Sequence, residues 1–149
     1  MILQNKEYPM VRTLIPPIFM AALSILAMPA FSANMAEKSD QPLRIVSASN
    51  PLTQIVSLLD REDLLVGIDK TSHIKPSLEK IPDIGYRIQL STEGILSLNP
   101  NLIMLAYDSG PINVIEQLKN SGVEIIQFPE LKDVKSIQET VTTIAGKLN

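Results

Sequence analysis

The chain has 149 residues, a formal net charge of −3 and no cysteine. The missing cysteines exclude disulfides, Cys-ligated zinc, iron–sulfur sites and lipid attachment at a cleavage-site cysteine. Acidic and basic residues are interspersed, and the few aromatic residues include no tryptophan. This composition therefore indicates neither a basic surface for nucleic acid nor an aromatic platform for stacking bases.

The first 32 residues have the order of a secretory signal peptide. Basic residues precede an apolar run at 14–27, and small residues surround a predicted cleavage site after Ser32. A transmembrane anchor is the alternative, but the run is shorter than the about 20 residues of a span and contains two adjacent prolines. We expect cleavage to leave a flexible leader at 33–42 and a soluble periplasmic protein that is not a lipoprotein.

Residues 43–149 alternate between strand-like and helix-like segments. Short β-rich or continuously apolar runs predict strands at 43–46, 64–68, 102–106 and 124–128. Apolar residues at helical spacing follow start signals at Pro51, Ser91, Pro111 and Asp133. This order predicts an α/β fold, a Rossmann-like lobe with a mainly parallel sheet flanked by helices on both faces.

The carboxyl ends of the predicted strands, where open α/β sheets bind ligands, carry no common enzyme motif. The chain has no Gly-x-Gly-x-x-Gly, no Walker-type loop and no Gly-x-Ser-x-Gly elbow. Asp69 and Asp108 fit turn formation better than catalysis. His73, the only histidine, is either a solvated loop residue or a ligand contact. A small Rossmann-like enzyme thus stays an alternative without a catalytic set.

The irregular segment 70–89 contains the residue that we single out, Tyr86, directly after Gly85. Long irregular connections in compact domains are often functional. A phenolate is a hard oxygen donor suited to ferric iron, and tyrosine is one of the residues that hold haem iron. A neighbouring cation such as Arg87 would help to stabilise the phenolate. The alternative is a packed loop tyrosine whose hydroxyl contacts water, and spacing alone leaves both open.

Residues 44–47 and 63–69 resemble the opening of the class of periplasmic binding proteins that serve cobalamin, siderophore and haem ABC importers. Residues 98–103 (LNPNLI) match the Leu-x-Pro-Asp-Leu-Ile signature of that class. Within the class, 82–86 followed by 90–98 resembles the haemin-binding branch. The resemblance extends from about residue 43 to the end of the chain.

The resemblance implies a receptor without catalysis, in which two α/β lobes hold haem between them. This chain would supply the N-terminal lobe at 43–149, with the second lobe absent. By position, Tyr86 matches the axial ligand to the haem iron. The branch usually carries an arginine two residues after the tyrosine, where this chain has Ile88. Arg87 lies one position early, and together with His73 it is a predicted ligand contact.

The resemblance also implies a partner, the ABC transporter permease in the inner membrane. In this class an acidic residue of the short helix docks onto a permease arginine, and Glu93 matches it. The alternative is a first-turn glutamate that is favoured by the helix dipole. We expect a monomer that carries haem as its transported ligand. A siderophore or cobalamin receptor of the same class is the alternative function.

Overall fold

The computed structural model describes residues 41–148. The predicted signal peptide at 1–32 and nearly all of the predicted leader at 33–42 lie outside this range. Every helix within the range is too short or too polar to cross a lipid bilayer.

Strands and helices alternate along the described part of the chain. The strands are β1 (Ile45–Ala48), β2 (Leu65–Ile68), β3 (Leu102–Leu105) and β4 (Glu124–Gln127). The α-helices are α1 (Asn50–Leu58), α2 (Thr92–Leu96), α3 (Ile112–Lys119) and α4 (Val134–Leu148). All strand pairs are parallel, in the order β2-β1-β3-β4. The arrangement confirms the predicted α/β lobe.

Two of the four α-helices in the described range begin with the side-chain cap that the sequence predicted. The Ser91 side chain accepts a hydrogen bond from the backbone N–H of Gly94 at 3.2 Å and caps α2. The Asp133 carboxylate accepts one from the backbone N–H of Ser136 at 2.7 Å, at the start of α4. Side-chain oxygens satisfy N–H groups that the first helical turn leaves without partners. α1 begins at Asn50, one residue before the predicted start.

β1 lies two residues further along the chain than the sequence predicted. Small polar residues follow Val46, and their composition indicated a loop. The strand instead continues through Ser47 and Ala48, because β1 is flanked by β2 and β3 and finds hydrogen-bond partners on both sides. Ser47, for example, lies opposite both Ile68 and Met104. The composition of a short segment does not reveal that it lies in the middle of a sheet.

Each face of the sheet is covered by a pair of helices. Ile45 and Met104 pack on the face with α1 and α4, whereas Val46 and Ile103 pack on the face with α2 and α3. Successive strand residues point to opposite faces, so these buried residues separate into two hydrophobic clusters. β3 is buried along its whole length, as its continuous apolar run predicted.

The chain turns in opposite directions after β1 and after β3. The connection through α1 leads to β2 on one side, and the connection through α3 leads to β4 on the other side. The connections that follow the adjacent strands β1 and β3 therefore diverge, which creates the crevice where doubly wound sheets bind ligands.

The segment that leads to Tyr86 lies directly against β2. The backbone of Ile68 accepts a hydrogen bond from the N–H of Ile84 and donates one to the carbonyl of Pro82, both at 3.0 Å. Gly67 makes this approach possible. A Cβ there would lie 2.5 Å from Leu98 Cδ1 and 3.0 Å from Ile84 Cγ2, closer than packed atoms tolerate. The position of this segment therefore depends on Gly67.

Candidate ligand-binding site

A cavity of about 260 Å³ lies where the loops after β1 and β3 diverge. Its lining includes Ser49, Asn50, Arg87, Tyr107, Asp108 and Phe128. Residues from the loops after β1, β3 and β4 and from the Tyr86 loop thus meet at one edge of the sheet. This is the edge at which the sequence predicted a ligand.

Tyr86 is exposed on a tightly held turn beside this edge. Its side chain is 47% exposed. Gly85 has φ +83°, a left-handed conformation that glycine adopts without steric cost, and its N–H donates to the Asp83 carboxylate at 2.7 Å. The N–H of Lys70 donates to the Gly85 carbonyl at 2.9 Å, and the N–H of Gln89 donates to the Tyr86 carbonyl at 2.8 Å. The phenol is therefore accessible while its backbone is anchored on both sides.

Arg87 contacts a carboxylate. Its Nε donates to Asp108 Oδ1 and its Nη2 to Asp108 Oδ2, both at 2.8 Å. The hydrogen bonds to Arg87 lower the pKa of Asp108, and the same carboxylate raises the pKa of Arg87. The N–H of Gly110 also donates to the Arg87 carbonyl, and the N–H of Leu90 donates to the Gly110 carbonyl, each at 2.9 Å. The Tyr86 loop is thereby clamped to the loop after β3.

This pair changes the interpretation of two predicted positions. Arg87 was a candidate partner for the phenolate, but both arms of its fork bind Asp108. Asp108 lies in the turn after β3, as the sequence predicted, and it also anchors the Tyr86 loop. Both residues line the cavity, so Arg87 is still at the candidate site. Sequence reasoning missed the pair because its members lie 21 residues apart on different loops.

Lys70 is a site residue that sequence reasoning did not single out. Its ammonium nitrogen lies over the Tyr86 ring, 5.5 Å from the ring centroid. Its side chain forms no salt bridge within residues 41–148. The only available signal was its place directly after β2, at the edge where ligands bind.

Asp69 forms a turn, as the sequence indicated. It is fully buried, and its carboxylate accepts hydrogen bonds from the backbone N–H of Thr71 at 3.3 Å and from the Thr71 hydroxyl at 2.5 Å. His73 follows this turn and is half-buried. Its Nε2 is enclosed and has no hydrogen-bond partner in the described part of the chain. His73 is not among the residues that line the cavity.

Glu93 lies apart from the cavity, exposed on the first turn of α2. Arg44 holds the other end of this short helix. Its Nη2 donates to the Leu98 carbonyl at 2.7 Å, and its Nε donates to the Asn99 carbonyl at 2.9 Å. Both carbonyls belong to residues just beyond the end of α2, so Arg44 ties down the chain where it leaves the helix. Arg44 thus fixes the helix that presents Glu93.

Large apolar side chains are exposed in the segments at the carboxyl edge. They are Ile74, Tyr86, Ile88, Tyr107 and Ile112. A group of exposed apolar side chains beside a cavity is typical of a binding surface. Within residues 41–148, no three or more His, Asp or Glu side chains are grouped so that they could hold a bare metal ion. The edge thus offers apolar contacts and two accessible phenols, those of Tyr86 and Tyr107.

Comparisons with known proteins agree with the α/β fold. A family model described as a periplasmic binding protein matches residues 45–149. No curated protein sequence matches the chain. The periplasmic heme-binding protein BhuT, solved in complex with two hemes, is 31% identical with a TM-score of 0.65, and the match covers 70% of this chain and 41% of that one.

Two further solved structures are similar to the same extent. A periplasmic heme-binding protein from Pseudomonas aeruginosa is 32% identical with a TM-score of 0.66, over 72% of this chain and 40% of that one. The periplasmic heme-binding protein HutB of Vibrio cholerae is 30% identical with a TM-score of 0.67, over 72% and 42%. The chain spans about two-fifths of the length of these proteins.

Proposed function

Because this chain belongs to the periplasmic binding protein family, we propose that it is the substrate-binding component of a haem ABC importer. It captures ferric haem in the periplasm and delivers it to the permease in the inner membrane. Similar structures at 30–32% identity that are named heme-binding proteins support haem as the ligand. The family is a class of binding proteins, and we propose that this chain likewise acts without catalysis.

Residues 43–149 form the N-terminal lobe of this receptor in our proposal. The signal at 1–32 directs export and is cleaved, and 33–42 is a flexible leader. Since the chain has no cysteine, the exported protein carries no lipid on a cleavage-site cysteine. It acts as a monomer.

The observation that carries the proposal is an accessible tyrosine on an anchored loop at the ligand edge. The Tyr86 oxygen binds the ferric iron as an axial ligand, a role that tyrosine fills in other haem proteins. Exposed side chains such as Ile88 and the Tyr107 ring supply apolar contacts to the porphyrin. Arg87 and His73 are further predicted ligand contacts, the first because it lines the cavity and the second because its Nε2 lacks a partner in the described range.

Haemin titration of the purified full chain tests this role. Tyr86→Phe removes the iron ligand, so we expect the ferric phenolate spectrum to disappear and affinity to fall by at least about tenfold. Tyr107→Phe is the matched control, because it removes a phenol oxygen from the same edge and keeps the ring; it should leave the spectrum unchanged. If both variants behave like the unsubstituted chain, Tyr86 is not the ligand.

The same titration separates haem from the other ligands of the class. If haemin does not bind while a ferric siderophore or cobalamin quenches tyrosine fluorescence, the chain is a receptor for a different substrate. Weak haemin binding agrees with the proposal, since one lobe contacts only one side of a ligand.

Delivery depends on Glu93 in our proposal, because it is exposed on a helix that Arg44 holds in place. Glu93→Lys should leave haemin affinity unchanged and abolish haem transfer to vesicles that contain the permease. Glu116→Lys makes the same charge change on the exposed side of α3 and serves as the control. Normal transfer by the Glu93 variant would rule out this docking role.

A further inference from the structure

We propose that Lys70 is the charge partner of the Tyr86 phenolate and thereby sets the affinity for ferric haem. The inference rests on the proposed function, in which the Tyr86 oxygen binds the iron. An iron-bound phenol oxygen carries negative charge, and a positive charge beside the ring stabilises that charge. The residue named for this task by sequence reasoning, Arg87, is occupied elsewhere.

The backbone holds Lys70 next to Tyr86. Lys70 opens the 3₁₀ turn Lys70–Ser72, and the buried Asp69 carboxylate caps that turn. The Lys70 N–H donates to the carbonyl of Gly85 at 2.9 Å, so the end of β2 is tied directly to the residue before Tyr86. The Lys70 ammonium and the Tyr86 ring centroid, 5.5 Å apart, thus belong to two segments that are each anchored by backbone hydrogen bonds.

The other charged side chains at this edge make hydrogen bonds with partners other than Lys70. Arg87 and Asp108 neutralise each other through two hydrogen bonds of 2.8 Å. Asp69 accepts hydrogen bonds from its own turn, and Asp83 accepts one from the N–H of Gly85 at 2.7 Å. In the described range Lys70 forms no salt bridge. Its positive charge is therefore available to the phenol.

The geometry leaves the phenol oxygen open to iron. The ammonium lies over the face of the ring, and no hydrogen bond joins it to the hydroxyl in residues 41–148. A cation at this distance from an aromatic face is attracted even to the neutral ring, and the attraction grows when the ring carries negative charge. A porphyrin that covers the pair would exclude water and reduce screening further.

The test is a double-mutant cycle with haemin on the full chain. We expect Lys70→Gln to weaken haemin binding roughly five- to tenfold and Lys70→Arg to restore most of the affinity, because the guanidinium keeps the charge. Lys119→Gln removes the same charge from the far end of α3 and should change affinity less than about twofold. In the Tyr86→Phe background, Lys70→Gln should have no further effect, because no phenolate remains.

The outcomes separate this inference from the proposed function. A Lys70→Gln effect that persists in the Tyr86→Phe background, or one no larger than that of Lys119→Gln, overturns the charge-partner role while haem binding stands. If Tyr86→Phe itself changes neither spectrum nor affinity, the proposed ligand fails and the Lys70 role fails with it. Circular dichroism of each variant shows whether a loss of affinity results from unfolding. Retained affinity in Lys70→Arg argues against the view that Lys70→Gln weakens binding through altered packing.

Discussion

Breaking the Arg87–Asp108 pair from either side should weaken haemin binding. The pair joins the Tyr86 loop to the loop after β3 through two hydrogen bonds of 2.8 Å. Arg87→Gln and Asp108→Asn each remove the charge attraction and leave a side chain of similar shape. In both variants the Tyr86 loop loses the same anchor, so the axial ligand is held less firmly before haem arrives.

The expected size follows from geometry and exposure. A bidentate contact is stronger than a single ion pair, but the Arg87 and Asp108 side chains are 41% and 29% exposed, so solvent screens the attraction. We expect a coupling of about 1 kcal/mol, which is roughly fivefold in affinity. The backbone hydrogen bonds between Arg87, Gly110 and Leu90 remain in every variant and limit the loss.

Haemin titration and thermal unfolding of the two single variants and the double variant measure this coupling. If the clamp operates as a unit, the double variant binds no more weakly than either single variant. Arg87→Lys keeps the charge without the planar fork, and we expect it to recover only part of the affinity.

A direct contact between Arg87 and the phenolate would give a different pattern. In that case Asp108→Asn would release the guanidinium toward Tyr86 and leave affinity equal or higher, whereas Arg87→Gln would lower it. Opposite signs for the two single variants would therefore refute the clamp.

Two further predictions concern the scaffold. Gly67→Ala should destabilise the fold by about 1–3 kcal/mol, because its Cβ would lie 2.5 Å from Leu98 Cδ1. Gly146→Ala in α4 should stabilise the fold by about 0.5–1 kcal/mol, because its Cβ would meet nothing within 4 Å. Equal urea unfolding curves for the two variants and the unsubstituted chain would contradict both predictions. Hydrogen bonding to Lys75 lowers the pKa of Glu62 from 4.5 to about 2, so its stabilisation is complete above pH 4.5 and is lost as the pH falls toward 2. Glu62→Gln should flatten the acid limb of stability against pH, and an unchanged slope would count against this ion pair.

The elements that the sequence predicted well are those encoded by neighbouring residues. The run at 102–106 predicted a buried strand, and Leu102–Leu105 is buried throughout because β3 has a strand on each side and helices on both faces. Ser91 and Asp133 predicted helix starts because each caps N–H groups only three residues away. Such signals need no knowledge of the sheet.

The contacts that define the candidate site depend on segments distant in sequence. Arg87 meets Asp108, 21 residues away, only because the sheet order brings the two loops to one edge. Lys70 approaches Tyr86 because the intervening segment lies against β2, where Gly67 leaves room for it. The spacing of residues in the sequence does not reveal either contact. Tyr86 was therefore predicted as a site residue, whereas its contact with Lys70 and the Arg87–Asp108 pair were not.

A shift of the arginine by one residue changes which element supplies charge to the phenol. In the haemin-binding branch that this chain resembles, the arginine lies two residues after the tyrosine, and Ile88 occupies that place here with its side chain 56% exposed. The turn at Tyr86 directs the side chain of Arg87 into the cavity, where Asp108 binds it. A positive charge near the phenol stabilises the bound anion, and the turn after β2 provides one in Lys70. On our proposal, the positive charge that stabilises the ligand comes from the turn after β2 instead of from the tyrosine loop.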